Sequence, residues 1–143
     1  MRDYRLAGDA HSQETRFAEA LQAYERALTY VTRDAAPQLW AAVQVDIGGS
    51  HQQLGIRTAN EAIHHHLTRA VAAYRQALEV YTRATLPQGW AMTPNNLGGV
   101  LWAQGTRTAG EAGTALLAEA VVWRPIARLW RCTPAPRCRK TGL

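Results

Sequence analysis

Apolar side chains recur along the chain at helical spacing. Leu67, Ala70, Val71, Tyr74, Ala77, Leu78 and Tyr81 follow steps of three and four, and Phe17, Ala20, Leu21, Tyr24, Ala27, Leu28 and Val31 follow the same steps. Such steps return each side chain to one face of an α-helix, so each set predicts one apolar stripe. The tyrosines within the stripes are read as core. A second kind of stripe runs through Trp40, Val43, Ile47 and Leu54, then through Trp90, Leu97 and Leu101. Pro37 and Pro87 stand just before it, where a missing N–H is tolerated, and Gly55 and Gly105 follow as natural stops. The pattern predicts five helices, near 11–34, 38–54, 60–84, 90–104 and 110–123. Thr58 or Asn60 is the expected cap of the third. Pro94 either opens the fourth helix behind Thr93 or kinks a helix begun at Pro87.

The two kinds of stripe alternate with a fixed period. Shifted by 50 residues, the chain matches itself: Tyr24 falls on Tyr74, Pro37 on Pro87, Trp40 on Trp90, Gly48-Gly49 on Gly98-Gly99, and Arg57-Thr58-Ala59 on Arg107-Thr108-Ala109. Residues 20–71 and 70–121 share 22 identities over 52 ungapped pairs. A period of this size marks a solenoid, in which each unit buries its apolar face only against its neighbours. The paired glycines lie inside the predicted helices, where each costs about 1 kcal/mol relative to alanine. Their recurrence predicts that a neighbouring helix approaches closely there.

Leu97-Gly98, Leu101 and Gly105 resemble the first-helix signature of the tetratricopeptide repeat, and Ala70, Tyr74, Ala77 and Leu78 resemble its second. Insertions of ten and six residues relative to the usual 34-residue unit account for the period of 50. The resemblance covers roughly residues 5–121 and is similar to long-helix bacterial arrays of this family, which often accompany signalling ATPase or protease-like domains. It implies an all-α, right-handed α-solenoid of antiparallel helix pairs with a concave groove lined by first helices. By family position the groove would present Ala42, Val45, Gly49, Gln52 and Gln53, then Met92, Asn95, Gly99, Trp102 and Ala103. The implied partner is another protein or peptide. Neither 37–55 nor 87–105 contains Lys or Arg, so a clamp on a terminal carboxylate is not expected. A neutral groove dotted with glutamine and asparagine suits an extended peptide or a packed helix. Trp102 is either its anchor or a contact to a following repeat.

Composition changes this picture little. The formal charge of +5 comes from residues 122–143, where Arg124, Arg128, Arg131, Arg137, Arg139 and Lys140 meet no acid. The preceding 121 residues hold ten basic and eleven acidic groups, so nucleic acid is not the expected partner of the repeats. Cys132 and Cys138 lack a second pair and form neither a zinc site nor a disulfide framework. The absence of a leader pattern or a long apolar run points to the cytoplasm, with no membrane partner.

The chemistry of catalysis is hard to find. His64, His65 and His66 are consecutive, and successive helical residues diverge by about 100°, so the three do not converge on one metal. Glu61 and His65 stand four apart and form at most a weak ion site; a solvated helix face is the expected state. The glycine pairs lie within helices rather than between a strand and a helix, so no phosphate loop is present, and no nucleophile–base–acid set stands out. The expectation is no enzyme, no cofactor and no metal.

The repeat divides the chain into a partial unit (1–36), a full unit (37–86), a partial unit (87–121) and a basic tail (122–143). Pro125 is expected to end the last helix and the tail to be disordered. Read two nucleotides further on, codons for WRPIARLWRCTPAPRCRKTGL permit ATYRAALEVYTRAPLPQDWA, which agrees with residues 72–91 at 16 of 20 positions. The tail is therefore expected to be the next repeat read out of frame, an idea lost if the gene's shifted frame lacks a YRxALEVYTR-like string. At the other end, Arg5-Leu6-Ala7-Gly8 resembles the close of a first helix whose beginning is missing. Uncapped ends of this kind favour self-association. The sequence also admits two other functions: binding of nucleic acid or an anionic surface through the tail, and a regulatory, self-associating module of a larger signalling ATPase or protease-like protein.

Overall fold

Five α-helices follow one another: α1 (Arg2–Ala27), α2 (Pro37–Arg57), α3 (Ala62–Val80), α4 (Pro87–Arg107) and α5 (Gly110–Arg131). The structure, a computed structural model, describes residues 2–57, 61–82 and 87–131, with the backbone alone at 2–12, 87–91 and 124–131. Each helix packs against the next as an antiparallel neighbour, and α2 also touches α4. The chain is thus all-α, as the periodicity predicts.

The boundaries show which local preferences lost. Arg5–Gly8 lie inside α1 rather than closing an earlier helix, since one glycine costs about 1 kcal/mol and forces no stop. α1 ends at Ala27, before the stripe does. The Thr29 hydroxyl donates to the Arg26 carbonyl at 2.6 Å, and the Thr32 hydroxyl accepts the Ala35 N–H at 3.2 Å, so local side-chain bonds turn the chain there. α3 begins after Glu61 without a side-chain cap. The expected caps Thr58 and Asn60 lie outside the described residues. α4 starts at Pro87 and carries Pro94 in its interior, so Thr93 does not open a new helix. Thr93 and Pro94 are both fully buried, and packing holds the helix through the missing N–H. α5 continues past Pro125 to Arg131, a correction to the expected break at that proline. Residues 132–143, with both cysteines, lie outside the described residues.

The main core joins three helices: Leu67, Ala70, Val71 and Tyr74 of α3, Leu97, Val100 and Leu101 of α4, and Ala120 of α5. A smaller cluster of Ala41, Ala77 and Tyr81 ties α2 to the end of α3. Tyr74 sits at the centre and is 1% exposed. Its ring explains Gly48: a Cβ there would stand 2.7 Å from Tyr74 Cε1. Gly49 is different, since its Cβ would meet only the Tyr74 hydroxyl at 3.8 Å. Close approach therefore accounts for the first glycine of that pair and not for the second.

Repeat-equivalent positions meet equivalent partners. A Cβ on Gly55 would lie 3.2 Å from Leu67, and one on Gly105 would lie 2.8 Å from Leu117. Both hairpins thus close on a glycine–leucine contact. The second hairpin is tighter, because a Cβ on Gly113 would collide with the Thr108 carbonyl. Gly110 opens α5 with φ 75°, a left-handed conformation that favours glycine.

Candidate functional site

The six residues expected to line a groove fall into three settings. Met92, Asn95 and Trp102 are exposed on α4, Met92 at 65% and Trp102 at 45%. With Gly99 they follow steps of three and four, which places them on one helix face. Val45 and Gln52 take part in packing. Val45 is half-buried against both core clusters. Gln52 accepts a hydrogen bond from the Tyr74 hydroxyl at 2.9 Å, and its Nε2 lies 3.9 Å from where a Cβ would stand on Gly99. Gln52 therefore links α2 to α3 and borders the exposed face of α4. Burial, then the nearby Asp46 charge, pushes the Tyr74 phenol well above its usual range, so it remains a donor. Gln53 belongs to the opposite junction: Arg57 donates to its Oε1 at 2.6 Å, reaches Gln13 at 2.6 Å, and stacks 5.3 Å above the Phe17 ring of α1.

A second constellation escaped the sequence pattern. His51 of α2 meets His66 of α3, with their Nδ1 atoms 3.1 Å apart. One nitrogen must carry the proton and the other accept it, which requires at least one neutral ring. His65 completes the group, its ring centroid 6.4 Å from His51 and 5.7 Å from His66. His51 is 8% exposed, and burial first, then the charges of His66, Arg69 and His65, lowers its pKa from 6.5 to about 4. Burial and then His65 also lower His66. The consecutive histidines are visible as a run in the sequence, whereas the partner of His66 sits fifteen residues upstream. One signal for it existed: His51 occupies the repeat position of Leu101, a fully buried core residue. Among the described residues no group of three or more His, Cys, Asp or Glu is placed to hold a metal ion.

Beside His51 lies a cavity of about 240 Å³ between α1, α2 and α3. Glu25 of α1 and Leu28 just beyond its end form one wall, and Arg69, Ala72, Ala73 and Gln76 of α3 form the other. Gln44, Ile47 and His51 of α2 make the floor. Gln44 and His51 are buried, so the floor is polar at two points.

No family model, curated protein or solved structure matches the chain. Among the described residues no helix is long and apolar enough to cross a membrane.

Proposed function

We propose that the chain is a tetratricopeptide-like interaction scaffold whose α2–α4 face binds a peptide or helix of another protein, without catalysis. The observation that carries the proposal is the α4 face itself. Met92 and Trp102, large and apolar, stand exposed on one side of a helix whose other side is core. Scattered exposed apolar residues are ordinary, but aromatic and methionine side chains on one face, bordered by amides, have the composition of an interface centre. Asn95 and Gln52 supply polar groups able to fix the register of a bound backbone. The repeat assignment is supported by the equivalent Gly55–Leu67 and Gly105–Leu117 contacts and by the sequential antiparallel packing.

The test is selection from a random displayed peptide library against the immobilised protein. Enriched peptides are expected to bind the intact chain and to lose about tenfold or more on Trp102→Ala, with a smaller loss on Met92→Ala. A library that yields no binder, or binders indifferent to both substitutions, would remove the proposal.

A further inference from the structure

The floor of the cavity beside His51 is polar at positions that the next unit fills with core. Moving 50 positions along the chain replaces Gln44, Ile47 and His51 by Pro94, Leu97 and Leu101, each fully buried. Two of the three floor positions thus carry an amide and an imidazole where the later unit is apolar. His51 has an internal partner, since its Nδ1 meets that of His66. Gln44 has none. It is 7% exposed, and its amide makes no hydrogen bond among the described residues. A buried amide left unbonded costs about 1–3 kcal/mol. Among the described residues no fully enclosed side-chain N or O lacks a partner, so the Gln44 amide must reach accessible space. The cavity that Gln44 lines supplies that space.

We propose that the cavity binds the primary carboxamide of a glutamine-sized ligand, paired edge to edge with the Gln44 amide. A carboxamide carries an acceptor and donors in one plane, as Gln44 does, so a pair of antiparallel hydrogen bonds engages both groups. A carboxylate would leave the Gln44 carbonyl without a donor, and an ammonium would leave its N–H groups without an acceptor. The lining holds one acid, Glu25, and one guanidinium, Arg69, and so favours neither sign of charge in the ligand. Leu28, Ile47, Ala72 and Ala73 supply aliphatic surface for methylenes. No phenyl, phenol or indole ring is among the lining residues, so a nucleobase would find no such platform to stack on. The volume of about 240 Å³ suits a single glutamine, free or as a residue of a polypeptide, and lies below the roughly 300–1,000 Å³ of sites for larger molecules. The site lies on the α1–α3 side and does not depend on the α4 face.

The probes are L-glutamine and its blocked form, N-acetyl-L-glutamine N-methylamide, each titrated into the full ¹⁵N-labelled chain near neutral pH. L-glutamate and L-leucine, similar in size, are the controls. Saturable shifts are expected at the backbone amides of Gln44, Ile47, Ala72 and Ala73 and at the side-chain amide of Gln44, with a dissociation constant on the order of millimolar. Both controls are expected to bind about tenfold more weakly or worse. Tighter binding of L-glutamine than of the blocked form assigns the site to the free amino acid, and the reverse assigns it to a residue of a partner polypeptide. Gln44→Leu and Gln44→Met keep the bulk of the side chain and remove its amide, and each is expected to erase the preference for glutamine over leucine. The proposal is overturned by the absence of saturable shifts, by shifts confined to α4, or by a control that binds as tightly as glutamine. An unchanged preference in folded Gln44→Leu or Gln44→Met also overturns it.

Discussion

Gly48 and Gly49 are adjacent in one helix, yet substitution by alanine should move stability in opposite directions. Each replacement gains helix propensity, about 1 kcal/mol in a helix interior. At Gly49 little opposes that gain, because the new Cβ meets only the Tyr74 hydroxyl at 3.8 Å. At Gly48 the new Cβ would stand 2.7, 2.9 and 2.9 Å from three atoms of the Tyr74 ring. That ring is 1% exposed and its hydroxyl is bonded to Gln52 at 2.9 Å, so it has nowhere to swing without breaking the bond. Overpacking of this kind costs about 1–3 kcal/mol. Gly49→Ala should therefore stabilise by up to about 1 kcal/mol, and Gly48→Ala should destabilise by about 1 kcal/mol. The difference between the two cancels the propensity gain they share and leaves the steric contribution, about 2 kcal/mol. Urea unfolding followed by far-UV circular dichroism measures it, provided the slopes agree so that midpoints compare directly. Equal stabilisation by both substitutions would show that α3 does not press on α2 at Gly48.

Acid should loosen the α2–α3 junction. His51 has a folded pKa of about 4 against 6.5 when free, so its contribution is complete above about pH 6.5 and is lost as the pH falls towards about 4. The shift corresponds to about 3 kcal/mol; His66, also lowered, acts in the same direction, and Asp46, raised by burial, acts against it. His51→Leu, which installs the residue found at the equivalent Leu101, should flatten the dependence of the urea midpoint on pH between about 6.5 and about 4. An unchanged slope in that variant would place the titrating group elsewhere. Gly113→Ala tests the tighter hairpin. The added methyl would collide with the Thr108 carbonyl and lie 3.0 Å from the Gly105 carbonyl, both backbone atoms that cannot rotate away. A loss of about 2 kcal/mol or more is expected, and a thermal midpoint at or above that of the parent would contradict it.

Much of the fold was legible because repetition carries its own control. A stripe seen once is ambiguous; the same stripe 50 residues later, with proline before and glycine after, defines a helix and its place in a series. Spacing alone puts Leu67, Ala70, Tyr74 and Ala77 on the inward stripe, and all are buried. Boundaries were less legible, since Thr29 ends α1 by bonding locally while Pro94 fails to end α4, and neither outcome follows from propensity. The groove residues show the same divide. Position on a helix follows from the register, but whether Gln52 and Gln53 face a partner or a neighbouring helix depends on Tyr74 and Arg57, each reaching in from elsewhere.

The sequence by itself determined the helical class, the period and the inward stripe, because these depend on residues three, four and fifty positions apart. Tertiary structure alone decided which of two adjacent glycines is constrained, which histidine His66 meets, and that a cavity opens beside His51. Those features arise between helices, from distances that no one-dimensional spacing encodes.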